Sequence, residues 1–214
     1  MVNRYDTSNL IENLYEPGSK GTVLCNLLGI TNKEQLEHVE EERFECLMEE
    51  AAARFNGDHR FTVQDILWLH KFWLDGVFSW AGAYRTVNIA KGCFMFAAAA
   101  HIPVLMHQFE SDQLTRLTPC RFKVRETVVK ALAEVHVELV LIHPFWEANE
   151  RIARLLSVLM ALQAGLPPLN FSQLQGAKRD EYFAAVQSGM DRDYKPMERI
   201  YSEVIEWTQF SCER

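Results

Sequence analysis

Apolar residues recur along most of the chain at three- and four-residue steps, the spacing that gathers them on one side of an α-helix. In NKEQLEHVEEERFECLMEEAAARF, from Asn32 to Phe55, the stripe is Leu36, Val39, Phe44, Leu47 and Met48, with Thr31 placed to cap the first turn. Gly57 ends that segment, and Thr62 opens a second whose stripe is Ile66, Leu69, Phe72 and Trp73. The longest series, Val128, Leu132, Val135, Leu139 and Ile142, predicts a helix from about Val124 to Ile142. Pro144 disfavours helical geometry at His143 and stops it there. Helix resumes near Asn149, with Ile152, Leu155, Leu156 and Leu159 facing inward, and ends before Gly165 and Pro167-Pro168. Two more helices are expected, from Ser172 to Ser188 and from Pro196 to Thr208.

One stretch departs from this period. In RTVNIAKGCFMFA, Arg85 to Ala97, Val87 and Ile89 alternate with polar residues, Lys91-Gly92 is a turn signal, and Phe94 and Phe96 alternate again. A short β-hairpin is predicted there. The class is therefore mainly α, and with no linker-like stretch the whole of 1–214 reads as a single domain, opened by an N-terminal segment over 1–30.

Composition narrows the function. The chain is 48% hydrophobic, enough for one substantial core, and its 29 acids against 22 bases give a formal charge of −7. That balance argues against a nucleic acid or an anionic membrane as partner. The five cysteines lack the paired short spacings of a zinc site or a disulfide framework, so buried free thiols are expected. The opening residues hold no apolar signal-peptide core and no stretch is apolar enough to span a bilayer, so the cytoplasm is the expected location, with secretion as an effector by another route left open.

The chemistry concentrates in HPFWEANERIAR, His143 to Arg154. Two consecutive helices leave a turn between them, and the second directs free backbone N–H groups and its positive dipole end into that turn, which makes an anion site. Arg151 and Arg154 stand three apart and are expected to reach the same anion, with Asn149 as a neutral donor. Glu147 offers a hard oxygen to a divalent cation such as magnesium, and His143 at the rim is placed to take a proton from an incoming hydroxyl. Together these groups describe phosphoryl or nucleotidyl transfer. Trp146, with little in the turn to pack on, is expected to be partly exposed at the entrance.

HPFWEANERIAR resembles the Fic motif, H-x-F-x-[D/E]-G-N-G-R-x-x-R, with His143, Phe145, Glu147, Asn149, Arg151 and Arg154 in their places. The segments from Gly21 (GTVLCNLLGITNKEQLEHVEEE), Phe78 (FSWAGAYRTVNIAKG) and Asp193 (DYKPMERIY) are similar to other parts of Fic domains, so the likeness covers nearly the whole chain. It implies a Fic-type helical bundle with a short β-hairpin flap, and a protein adenylyltransferase that transfers AMP from ATP to a Ser, Thr or Tyr hydroxyl of a target protein. His143 would be the base, Glu147 would hold Mg2+, and Ala148, Asn149, Glu150, Arg151 and Arg154 would surround the phosphates. The hairpin over 85–97, with Val87, Asn88, Ile89, Lys91 and Gly92, would pair with the target's backbone. The family often carries an inhibitory [S/T]-x-x-x-E-[G/N] helix, and SNLIEN fits it through Ser8 and Glu12; a small antitoxin-like inhibitor protein is the other form of restraint in the family.

Two positions depart from the motif: Ala148 and Glu150 stand where the family has glycine. Alanine also occurs there in the related Doc toxins, which transfer phosphate. Glu150 places a carboxylate in the first helical turn, where it competes with phosphate and can pair with Arg151 or Arg154. Three readings follow: AMP transfer weakened by a shifted nucleotide, a Doc-like phosphotransferase or another donor, or an inactive Fic-fold binding protein.

Overall fold

The computed structural model describes residues 14–92 and 94–212, with only the backbone described at Ala177 and Cys212. Ser8 and Glu12, the candidate inhibitory pair, lie outside the described residues.

Helix α1 (Lys33–Arg54) starts on Asn32, whose side chain accepts the Gln35 N–H; the cap is thus one residue later than the Thr31 expected from sequence. Helix α2 (Val63–Leu74) opens on a reciprocal capping box between Thr62 and Asp65. The strands β1 (Ala90–Lys91) and β2 (Phe94–Met95) pair antiparallel, Ala90 with Met95 and Lys91 with Phe94, so the expected hairpin is present with very short strands. Next come α3 (Ile102–Phe109), a π-helical turn over Glu110–Leu114, and α4 (Thr115–Leu117), a helical run that the apolar pattern did not announce. Then follow α5 (Arg125–Ile142), α6 (Asn149–Gln163), α7 (Ala177–Ser188) and α8 (Lys195–Cys212). Helix α7 begins after Gly176, later than the Ser172 expected.

The core is organised around α5, which contacts α3, α6, α7 and α8. Leu132, Val135, Val137 and Leu139 are all essentially inaccessible, because α5 is enclosed on several sides. Each such side chain contributes roughly 1.5–3 kcal/mol by leaving water. The α1–α2 pair packs on α6 from the other side, with Leu47, Ile66, Leu69 and Trp73 fully buried between them. Trp73 donates its indole N–H to the Glu40 carbonyl at 2.8 Å and so locks α2 onto α1. Two residues of the expected inward stripes are exposed, Met48 and Phe72. Of the cysteines whose state is described, Cys120 is buried, Cys25 half-buried and Cys46 exposed, which corrects the expectation of uniformly buried thiols. No helix among the described residues is long and apolar enough to cross a membrane.

Candidate active site

The loop between α5 and α6 is bracketed by two non-glycine residues in the left-handed region. His143 ends α5 at φ +51°, ψ +60°, and Ala148 precedes α6 at φ +71°, ψ +2°. Such conformations cost an L-residue roughly 1–3 kcal/mol and persist only when the surroundings over-determine them. Here the surroundings do. Asn149 folds its amide back over the loop, accepting the Phe145 N–H at 2.8 Å and donating to the Phe145 carbonyl at 2.9 Å. Phe145 is fully buried beneath the loop and stacks on His70, centroids 3.8 Å apart and planes 9° from parallel. The His70 ring is fixed in turn, its Nδ1 accepting the Gly82 N–H at 2.8 Å. Gly82 is required at that point: φ is +76°, and a Cβ there would lie 2.6 Å from the Lys71 Cβ.

His143 stands at the mouth of the loop with its imidazole stacked on Phe96 from the hairpin, 3.7 Å between centroids. Its Nδ1 lies 3.1 Å from the Val140 carbonyl, which can only accept, so Nδ1 carries the proton and Nε2 keeps its lone pair. Burial pulls the imidazole pKa down to about 4; the Val140 bond opposes this, and the charges of Arg85 and Lys91 add to it. The ring is thus a neutral proton acceptor at physiological pH.

Helix α6 has no side-chain cap, and its first internal bond runs from the Ile152 N–H to the Ala148 carbonyl. The N–H groups of Asn149, Glu150 and Arg151 therefore have no acceptor within the helix. They border a cavity of about 370 Å³ lined by Ile89, Ala90 and Lys91 of the hairpin, Phe96, His143, and Trp146 to Arg151. A second cavity of about 920 Å³ adjoins it through Glu147, Ala148 and Arg151, and runs along α1 past Glu37, Glu40 and Phe44.

The charged residues are arranged differently from expectation. Arg151 pairs with Glu40 at 2.9 Å and lies over the Trp73 ring, 4.4 Å from its centroid. Arg154 turns the other way, between Phe171 and Tyr182 at 5.6 and 5.4 Å, so the two guanidinium groups, expected to reach one anion, diverge towards α1–α2 and α7 respectively. Glu150, for which Arg151 and Arg154 of its own helix were available partners, meets Lys91 of the hairpin at 3.2 Å. Lys91 also lies over Phe183 at 3.3 Å, a cation–π contact. Glu147 is exposed towards the cavity. Loss of water around it raises its pKa, Arg151 lowers it, and Glu40 and Glu150 raise it further. Its carboxylate suits magnesium by donor type, since that ion is commonly held by one or two carboxylates together with water and substrate phosphates. Among the described residues no group of three or more His, Cys, Asp or Glu forms a metal cage.

Of the hairpin residues singled out from sequence, Ile89 and Lys91 line the smaller cavity. The Asn88 side chain accepts the Ala99 N–H at 2.8 Å, the Val87 carbonyl accepts from Arg85, and Gly92 makes the turn at φ +60°. Trp146 is half-buried at the cavity wall. Sequence reasoning passed over Arg85, His70, Glu40 and Phe96. His70 carried a signal, a histidine on the apolar stripe of α2 beside Leu69 and Trp73. Glu40 carried none, because a single acid within VEEE reads as solvated surface.

A neutral imidazole beside the uncapped N-terminus of α6, with a β-hairpin over the cavity between them, sets the site on a helical scaffold. The chain matches the family described as Fic/DOC over residues 60–161. It is 28% identical over 192 residues to the protein adenylyltransferase Fic of Drosophila grimshawi, covering 87% of this chain and 37% of that protein. With the namesake of Aedes aegypti the identity is 29% over 73% of this chain and 30% of the other. The chain thus spans about a third of the length of these curated relatives. In fold it is similar to the N-terminal Fic domain of a Bartonella effector protein from Bartonella sp. AR 15-3, with a TM-score of 0.70 at 20% identity over 92% of each chain. BepC of Bartonella tribocorum, solved with bound AMPPNP, superposes with a TM-score of 0.69 at 18% identity, over 90% of this chain and 96% of that one.

Proposed function

We propose that the protein transfers AMP from ATP to a hydroxyl side chain of a target protein. The observation that carries the reading is the tautomer and placement of His143: Nδ1 is committed to Val140, so Nε2 is the acceptor beside the cavity that the α6 N-terminus enters. In this reading Nε2 takes the proton of the target hydroxyl as its oxygen bonds to the α-phosphorus, and the bond to pyrophosphate breaks. The α6 N–H groups and Arg151 hold phosphate oxygens, and Arg154 joins them by leaving its place between Phe171 and Tyr182. Glu147 would hold magnesium, which neutralises phosphate charge when bound. The hairpin over 85–97 aligns the target's backbone by strand addition. The adenylyltransferase names of the fly and mosquito relatives and the AMPPNP bound in BepC support the donor and the reaction class.

The chain acts in this proposal as one catalytic unit, with 143–154 as its active loop. A second reading, a binding protein that does not turn nucleotide over, is favoured by the Glu150–Lys91 pair at the α6 N-terminus and by the engagement of Arg151 with Glu40. Incubation with ATP labelled at the α- or the γ-phosphate separates the outcomes. Protein-bound label from the α position alone supports AMP transfer; label from the γ position alone makes the protein a phosphotransferase; no label from either, with ATP bound, leaves the binding protein.

A further inference from the structure

We propose that Arg85 is a positioning residue that fixes the base and the hairpin to one another. Resting on the reading of His143 as base and of 85–97 as flap, the inference assigns their alignment to a residue that touches neither nucleotide nor target. Arg85 is only 3% exposed, and among the described residues no carboxylate pairs with it. Its guanidinium donates to backbone carbonyls alone. Nε reaches the His143 oxygen at 2.6 Å, Nη2 the Ala97 oxygen at 2.6 Å and the Ile142 oxygen at 3.3 Å, and Nη1 the Val87 oxygen. Its own backbone N–H donates to the Pro144 carbonyl at 2.9 Å.

The physical need is specific. The Ile142 and His143 carbonyls at the end of α5 have no N–H partner within the helix because the chain leaves it at a left-handed residue followed by proline, and that helix end carries partial negative charge. Burying a cation costs several kcal/mol unless its donors are satisfied, and here the acceptors come from three separate places. Ile142 and His143 belong to the end of α5, Val87 to the entering leg of the hairpin and Ala97 to its leaving leg. Both legs and the backbone of the base thus hang on a single planar group. The Phe96–His143 stack, with the Ala97 N–H bonded to the Leu141 carbonyl at 3.3 Å, transmits that alignment to the imidazole. Lysine, with three donors on one atom, cannot span the same carbonyls.

The test uses Arg85→Lys and Arg85→Met in the full chain. The affinity for ATP with magnesium is expected to stay within about threefold of the parent, while transfer of α-label falls by roughly a hundredfold or more, since misplacement of reacting groups by about 1 Å costs that much. Amide hydrogen exchange over 90–96 is expected to speed up at least about tenfold with the α5 interior unchanged. In Arg85→Met the His143 imidazole, relieved of a neighbouring cation and with Lys91 its other facing charge, is expected to titrate higher by NMR. Unaltered transfer, or hairpin exchange equal to the parent's, overturns the proposal. So does loss of protection in α5 together with the hairpin in both variants, which makes Arg85 a residue of global stability. If the parent itself transfers no label, the functional reading fails, while the exchange and titration data still decide for or against Arg85.

Discussion

Removing the Glu150 charge is expected to move stability and nucleotide affinity in opposite directions. In Glu150→Gln the ion pair to Lys91 disappears; with side chains 44% and 27% exposed, such a pair contributes about 0.2–1 kcal/mol. The favourable meeting of a carboxylate with the α6 N-terminus, about 0.3–1 kcal/mol, is lost as well. Together these lower the melting temperature by a few degrees, at about 2–4 °C per kcal/mol for a chain of this size. Binding moves the other way. A unit charge about 6 Å from a bound phosphate charge costs roughly 3 kcal/mol at an effective dielectric of about 20, and Lys91 offsets part of it. A gain of about 1–2 kcal/mol is expected, a 5- to 30-fold tighter complex with ATP and magnesium by calorimetric titration, shrinking as salt is raised. Affinity that stays level or weakens while the melting temperature drops refutes the competition argument and leaves Glu150 as an ordinary first-turn acid. Glu150→Gly combined with Ala148→Gly, which also restores the motif's backbone freedom, is expected to bind at least as tightly as Glu150→Gln.

Other consequences are equally direct. His143→Asn keeps a residue that tolerates the left-handed conformation, so its melting temperature is expected to stay within about 3 °C while label transfer drops by roughly a hundredfold or more; transfer within tenfold of the parent removes His143 as the base. Tyr182→Phe deprives buried His136 of its 2.7 Å partner and is expected to cost about 1–3 kcal/mol in chemical denaturation; an unchanged midpoint contradicts the role given to that bond. Burial lowers the pKa of His70 and His136 to about 3 and that of His143 to about 4, below their usual 6.5. The unfolded chain therefore takes up protons that the folded one refuses, and the stability these rings contribute is complete above pH ~6.5 and is lost as pH falls towards 4. Three such groups give a slope of up to about 4 kcal/mol per pH unit, reduced by Glu138 and Glu147, whose raised pKa values act in the opposite sense. Denaturation midpoints at pH 7, 6 and 5 that do not decline contradict the buried neutral state of the rings.

The α5–loop–α6 unit was legible in the sequence because each of its signals is local. Pro144 dictates where α5 ends, and the steps of three and four through Val128 to Ile142 and through Ile152 to Leu159 are uninterrupted. The hairpin was legible for the same reason, in the alternation around Lys91-Gly92. The run from Ile102 to Leu117 was not, since Pro103 opens it and a π turn resets its period midway. Directions of side chains at the site were legible only where the loop decides them. Spacing put Arg151 and Arg154 on one face, but α6 lies between α1–α2 on one side and α7 on the other, and a 60° difference around the axis sends each guanidinium to a different neighbour. The partners Glu40 and Lys91 are 111 and 59 residues distant from the arginine and glutamate they meet, and no local period reports such a meeting.

The backbone of the site and its charges are organised by separate means. His143 and Ala148 hold their left-handed turns because Arg85 takes the carbonyl on one side, Asn149 closes the loop on itself, and Phe145 rests on a ring anchored to Gly82. A loop fixed from below in this way needs little rearrangement to receive an anion, so little ordering entropy opposes binding. The cavity above is instead filled electrostatically: Glu150 sits at the helix end and is neutralised by Lys91, and Arg151 is neutralised by Glu40. In the proposed function a polyphosphate therefore exchanges internal ion pairs for its own rather than reshaping the backbone. Affinity then follows charge at three places, Glu150, Lys91 and Glu40, more than loop flexibility, and Glu40→Gln, which frees Arg151, is expected to strengthen nucleotide binding without any change in the hydrogen exchange of residues 143–149.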